Sequence, residues 1–167
     1  MDEARGAFWQ FSLRLYRRPA VPAQCLTLQD QHGVDVNVLF FLLYLALNGR
    51  RLSPDEVERI DAAVSNWRLH VVQPLRAIRR DLKSGIAPAA PHAAQALREA
   101  IKRDELQAER LQQEALEREF PAAATGIPAA PRTAAAANIA AYETLTGALP
   151  LSAVDILLAA LFEVFSV

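Results

Sequence analysis

Residues 53–83 read SPDEVERIDAAVSNWRLHVVQPLRAIRRDLK, and Val57, Ile60, Val64, Trp67, Val71, Leu75, Ile78 and Leu82 recur in them at spacings of three and four. That spacing sets all eight side chains on one face of a helix, and it predicts an all-α fold. Ser53, Pro54 and Glu56 mark the start: Ser53 caps, Pro54 suits the first helical position and Glu56 closes a capping box. The ridge then runs for about 30 residues, roughly 45 Å at 1.5 Å of rise per residue. Pro74 removes one backbone hydrogen bond inside it, so a kink is expected between His70 and Pro74, with the apolar phase unbroken across it. Opposite the ridge, Arg76, Arg79, Arg80 and Lys83 form a cationic stripe over the last turns.

Outward from this helix the chain divides at prolines and glycines. Residues 8–16 form a helix with Phe8, Phe11 and Leu15 on one side, broken by Pro19 and Pro22. A second short helix, residues 22–31, ends at Gly33, a natural residue just past a helix end. Residues 35–47 are apolar almost all round, which requires cover on most sides and makes this the central helix. Residues 1–84 thus read as a helical core, followed by a linker at 85–91 and a long polar helix at 92–120. The inward stripe of that helix is weak: Ala93, Leu97, Ile101, Ala108, Leu111 and Ala115, with Asp104 intruding. A second linker, 121–131, leads to a helical hairpin over 132–167 that packs on the core, its last helix capped by Ser152. The expectation is a compact multi-helix bundle of about six to seven helices in one domain, with one long Pro-kinked amphipathic helix.

Composition narrows the class. The 167 residues are 52% hydrophobic and 22% charged, which describes a globular chain. A net charge of −1 argues against bulk phosphate neutralisation, so RNA or DNA is the least favoured partner. Cys25, alone, forms no intramolecular disulfide and reads as a small buried hydrophobe in a reducing compartment. Met1, Asp2 and Glu3 carry no basic run ahead of an apolar stretch, so no secretory leader is expected, and no apolar run reaches the ~20 residues of a bilayer span. A cytoplasmic location follows as an expectation.

The catalytic and metal-binding vocabulary is missing. No phosphate-binding glycine loop, His-Glu-x-x-His, Cys-x-x-Cys or Gly-x-Ser-x-Gly occurs, and His32, His70 and His92 are scattered. No catalytic residue, metal or cofactor is assigned. Two candidate sites remain. The first is cationic: Arg68, Arg76, Arg79, Arg80 and Lys83, either an anion site for an acidic protein surface, or a solvated face whose arginines pair with Asp81 or with acids of the second long helix. The second is a pocket lined by Phe40, Tyr44 and Trp67 and gated by Asp35, Asn37 or Arg68. Asp35 also suits the cap of the apolar helix, and Trp67 also suits the core.

Phe8-Trp9-Gln10-Phe11-Ser12 with Leu15-Tyr16, Cys25-Leu26-x-Leu28-Gln29-Asp30, Gly33-Val34-Asp35-Val36-Asn37, and the run from Trp67 through Pro74-Leu75-Arg76, Arg79-Arg80 and Leu82-Lys83 carry a further signal. Over residues 6–84 the chain resembles a family of small proteobacterial proteins of unknown function. That resemblance implies a helical fold and a bacterial cytosol, and it carries no activity to any residue.

Taken together, the sequence favours a non-enzymatic adaptor that engages an acidic protein partner through the cationic stripe. A small-molecule-binding protein or enzyme with a pocket between helices is the alternative, and nucleic-acid association comes third. The apolar C-terminal helix also suits a homo-oligomer contact.

Overall fold

The computed structural model describes residues 6–166. Met1, Asp2 and Glu3, on which the leader reading rests, and Val167, the last residue of the expected C-terminal helix, lie outside the described residues. The order is α1 (Ala7–Tyr16), α2 (Val21–His32), α3 (Val36–Leu47), β1 (Arg50–Arg51), α4 (Pro54–Trp67), a π-helical turn (Arg68–Val72), α5 (Gln73–Lys83), α6 (Pro91–Glu119), β2 (Ile127–Pro128), α7 (Pro131–Thr146) and α8 (Leu151–Phe165). With α4, the π turn and α5 running on as one rod, this is the expected all-α bundle.

α3 is the axis because of its composition. Nine of its residues, among them Val38, Leu39, Phe41, Leu42 and Leu45, are buried, and α1, α2, α4, α6 and α7 all pack on it. Asp35 caps it, its Oδ1 accepting from the backbone N–H of Asn37 at 2.9 Å and of Val38 at 3.3 Å. The capping box of α4 is also present: Ser53 Oγ accepts from the Glu56 N–H at 3.3 Å, and Glu56 Oε2 accepts from the Ser53 N–H at 2.8 Å. α8 starts at Leu151 after Pro150 with no side-chain cap, so Ser152 does not take the role expected of it. Its buried residues Ala153, Leu157, Ala160 and Leu161 face the body, where α8 packs on α1 and α2.

The backbone departs from α geometry just ahead of Pro74, where the proline predicts a disturbance, and the form of that departure alters what the sequence pattern implies. Pro74 has no N–H to donate, and ahead of it the Gln73 N–H bonds to the Arg68 carbonyl, a π-type bond five residues back. A π turn holds more residues than an α turn, so the apolar phase does not run through unbroken. Before it Val57, Ile60 and Val64 are buried, as the ridge requires. Within the turn Val72 is buried in place of Val71, and after it Ile78 is 46% exposed. Rotated in this way, α5 turns Arg76 and Arg79 toward α6. The eight-residue ridge is therefore a core-facing stripe in α4 only.

α6 corrects a second expectation. Its inner face carries Ala94, Glu105, Ala108, Gln112, Gln113 and Leu116, while Leu97, Leu111 and Asp104 are exposed. The apolar stripe sought in the sequence is largely on the solvent side, because the inner face is polar and is matched by polar groups across from it. The helix does not project as an arm: it packs on α1, α3, α4 and α5.

The expected linker 121–131 contains β2, paired antiparallel with β1 in the register Arg50↔Pro128 and Arg51↔Ile127. Gly126 just before it has φ +69°, and a Cβ there would meet the Arg51 carbonyl at 2.6 Å, so glycine is required. Asn138 of α7, wholly buried, holds this corner together. Its Oδ1 accepts from the Leu52 N–H at 2.8 Å, and its Nδ2 donates to the carbonyls of Leu42 at 3.0 Å and Arg50 at 3.1 Å. Asn138→Ala strands a buried N–H and two carbonyls, and is expected to lower the unfolding free energy by about 3 kcal/mol in urea denaturation. A loss below about 1 kcal/mol would show that other groups replace those bonds.

Candidate ligand cleft

α1, α2, the entry to α3, the π turn, α5 and α6 surround a cleft of about 650 Å³. Trp9 and Leu13 from α1, Cys25 and Leu26 from α2, Phe40 from α3 and Val72 from the π turn give it apolar surface. Asp35, Asn37, Arg68, Arg76, Arg79, Glu105, Glu109, Gln112 and Gln113 give it a polar one. The polar residues come from four places that only the fold brings together: the α3 cap, the π turn, α5 and the inner face of α6.

Asp35 is the centre of this wall. Its Oδ1 caps α3, while its Oδ2 accepts from Arg68 Nη1 at 3.0 Å and from Gln112 Nε2 at 2.7 Å. Its own N–H donates to the Tyr142 hydroxyl of α7 at 3.2 Å. Arg68 turns its guanidinium on Asp61 as well, bidentate at 2.8 and 3.1 Å. Beside it Gln113 Nε2 donates to Asn37 Oδ1 at 2.7 Å. On α5, Arg76 donates to Glu105 at 3.1 Å and to Glu109 at 2.7 Å, and Arg79 grips both oxygens of Glu105.

These contacts perturb the ionisable groups in opposite directions. Burial alone would push the Glu105 carboxyl up, but the bonds and charges of Arg79 and then Arg76 outweigh it and hold the group below its usual range. For Glu109 burial comes first, the nearby charges of Glu105 and Asp35 add to it, and Arg76 does not compensate, so this carboxyl is raised. Burial pushes the Cys25 thiol up to about 12. Three buried atoms of the lining residues, Gln112 Oε1, Gln113 Oε1 and Ser12 Oγ, have no hydrogen-bond partner among the described residues.

The sequence-derived sites are split by the structure. Of the cationic stripe, Arg76 and Arg79 are not solvated: their side chains are 14% and 22% exposed, and they are held by acids of α6, one of the pairings the sequence left open. Arg80, at the rim, pairs with Asp30, and Lys83 is exposed. Arg68 stands apart from them in the Asp35–Asp61 network. Of the expected pocket residues, Asp35, Asn37, Phe40 and Arg68 line the cleft, whereas Tyr44 and Trp67 do not. Tyr44 belongs to an aromatic cluster with Phe8, Phe11 and Phe41 on the α1 side of α3. Trp67 is 38% exposed, outside the core expected for it, and clamps α6 by donating its indole N–H to the Ala108 carbonyl at 2.9 Å. Its indole N–H is spent on the α6 backbone at the edge of the α4–α6 contact, not in the cleft.

Sequence reading missed Trp9, Ser12, Glu105, Glu109, Gln112 and Gln113. One signal existed: Glu105, Glu109, Gln112 and Gln113 recur at four and three residues, a polar stripe on one face of α6. A search for apolar periodicity passes over it.

The geometry thus defines an all-α bundle with a polar cleft between its helices. The chain belongs to the family described as a protein of unknown function, DUF2390, which matches residues 7–116. The match runs well past residue 84, from the first residue of α1 into the last turn of α6, and the entire lining of the cleft falls within it. No curated protein and no solved structure matches the chain. Among the described residues no helix is long and apolar enough to cross a membrane, and no group of three or more His, Cys, Asp and Glu is placed to hold a metal ion.

Two outcomes follow from these contacts. Arg76→Glu and Arg79→Glu each set a like charge against the buried Glu105 and should cost about 3 kcal/mol or more in chemical denaturation. Arg80→Glu, at an exposed pair, should cost less than about 1 kcal/mol, and equal losses at all three positions would show that the α5–α6 network is not what holds the hairpin. Cys25, with its thiol raised to about 12 against a reference of 9.0, should be alkylated by iodoacetamide about a thousandfold more slowly in the folded than in the unfolded chain at mildly alkaline pH. The folded thiol titrates above the unfolded one. The stability its neutral form contributes is therefore complete below pH 9 and falls as pH rises toward about 12.

Proposed function

We propose that this protein binds a small organic ligand in the cleft between α1, α2, the π turn, α5 and α6. The observation that carries the reading is the cleft itself. Its volume of about 650 Å³ lies in the range of small-molecule sites, and it joins apolar surface to a few buried, oriented polar groups. Arg76 and Arg79 are already satisfied by Glu105 and Glu109, which leaves little of the cationic stripe for an acidic protein partner. The ligand reading therefore displaces the adaptor reading that the sequence favours. It makes no claim of catalysis.

The test is a thermal-shift screen of a metabolite library on the intact chain, run beside Ala77→Trp. Ala77 is an exposed residue of α5 that lines the cleft, so a tryptophan there obstructs the cleft without entering the core. A ligand at a hundredfold excess over its dissociation constant stabilises by about 2.7 kcal/mol, on the order of 5–10 °C for a chain of this size. A compound that shifts the parent chain and not Ala77→Trp supports the reading. A library that shifts neither, or both equally, overturns it.

A further inference from the structure

The charges of the cleft are segregated along the α5–α6 hairpin. Away from the loop that joins the two helices, Arg68 is held by Asp35 and Asp61, and Arg76 by Glu109 and Glu105. Toward that loop the lining carries three cations, Arg79, Arg80 and Lys102, against two carboxylates, Glu105 and Asp30. Lys102 is exposed and makes no ion pair among the described residues. Asp81 and Asp104, the other acids near this end in sequence, are exposed and outside the lining.

The donors at this end are within reach of solvent. The side chains of Arg80 and Asp30 are 48% and 43% exposed, and the Lys102 ammonium offers three N–H groups. Arg79 is compensated by Glu105 through its Nε and Nη2, and it keeps the N–H groups of Nη1 to give. Glu109 lies two turns of α6 beyond Lys102, about 10 Å at 1.5 Å per residue, and Asp35 meets the helix further on still, at Gln112. An anion entering at Lys102 therefore meets donors first, while the distant acids keep their own arginines.

Apolar surface flanks the same end. Tyr16, Leu26 and Leu106 line the cleft and are 43%, 50% and 52% exposed. Leu106 follows Lys102 by one turn of α6, and Leu26 precedes Asp30 by one turn of α2, so an apolar side chain stands beside the charged rim on both sides. The half-buried Leu13 and the buried Phe40 continue that surface. Large apolar groups left in water around a cleft mark a place where something binds.

We propose that the ligand of this cleft is an amphiphilic monocarboxylate, its carboxylate held by Lys102, Arg80 and Arg79 and its hydrocarbon chain laid against Tyr16, Leu26 and Leu106. The proposal rests on the ligand-binding reading of the cleft and adds the ligand's charge and shape. One carboxylate matches an excess of one positive charge, whereas a dianion such as a phosphate monoester would leave a surplus negative charge beside Glu105. Hydrogen bonds between ionised donors and a carboxylate are the stronger kind, and they fix which end of the ligand faces the rim.

The experiment is isothermal titration of the intact chain at neutral pH with sodium octanoate, octanol and octylammonium chloride, three probes that share a carbon chain and differ in charge. Octanoate should bind once per chain and at least about fivefold more tightly than octanol, with octylammonium weakest. Lys102→Glu changes an exposed residue that has no ion pair, so it should fold. It should weaken octanoate by about tenfold and leave octanol unchanged. Arg103→Glu makes the same charge change at an exposed position outside the lining, and should leave octanoate within about twofold of the parent. Leu106→Ser should weaken octanoate and octanol alike. Octylammonium binding as tightly as octanoate, equal losses in Lys102→Glu and Arg103→Glu, or no loss in Leu106→Ser overturns the carboxylate assignment. In each case octanol binding that Ala77→Trp abolishes leaves the cleft reading standing. If none of the three probes binds, the carboxylate assignment falls and the library screen alone decides the cleft.

Discussion

The carboxylate of Asp35 joins more of this molecule than any other single group. One oxygen caps α3, the helix on which five others pack, and the second holds Arg68 of the π turn and Gln112 of α6. The backbone N–H of the same residue reaches Tyr142 of α7. A carboxylate 9% exposed persists there because each lone pair finds a donor, and hydrogen bonds to a charged group contribute more than neutral ones, about 1.5–3 kcal/mol apiece. The α3 cap, the angle of α6 and the position of Arg68 are therefore one constraint. The cleft lies where they meet.

The π turn is the second determinant, and it acts through register. By wrapping extra residues into one turn ahead of Pro74, it rotates α5 relative to α4. Ile78 goes to solvent, and Arg76 and Arg79 go to the acids of α6. An α5–α6 hairpin joined in this way is held largely by charge-assisted hydrogen bonds, since α5 has no fully buried residue. That interface tolerates cavities and polar ligands better than a close-packed apolar one, because its groups are oriented by partners rather than by density. The polar cleft and the polar hairpin have a common origin.

For function, the ion pairs bear on readings that the sequence left open. A cationic stripe on a helix presents itself to a partner only if its charges are unspent, and here the acids of the neighbouring helix have taken two of them. What remains unspent in the cleft wall, among the buried atoms of the described residues, is a small set of oxygens on Ser12, Gln112 and Gln113. Membership of the DUF2390 family places this cleft wholly inside the matched segment while assigning it no activity.

Much of the scaffold was legible from local rules. The all-α class, the central position of the helix after Asp35, the capping box of α4, the break in α geometry ahead of Pro74 and the burial of Cys25 follow from periodicity, caps and breakers, which act over a few residues and are written in consecutive letters. The site was legible only in part, as Asp35, Asn37, Phe40 and Arg68. Trp67 and Tyr44 do not line the cleft: the indole N–H of Trp67 is spent on the Ala108 carbonyl, and Tyr44 packs among the aromatic rings on the α1 side of α3. Glu105, Glu109, Gln112 and Gln113 were invisible as a site because a polar stripe reads as solvent-facing until a matching polar surface is placed against it. Sequence by itself determined which segments are helices and which apolar faces must be covered, since the chain cannot leave those faces in water. Tertiary structure decided which charges meet and which acceptors are left unpaired, because pairs such as Arg76–Glu105, separated by tens of residues, exist only once two helices have docked.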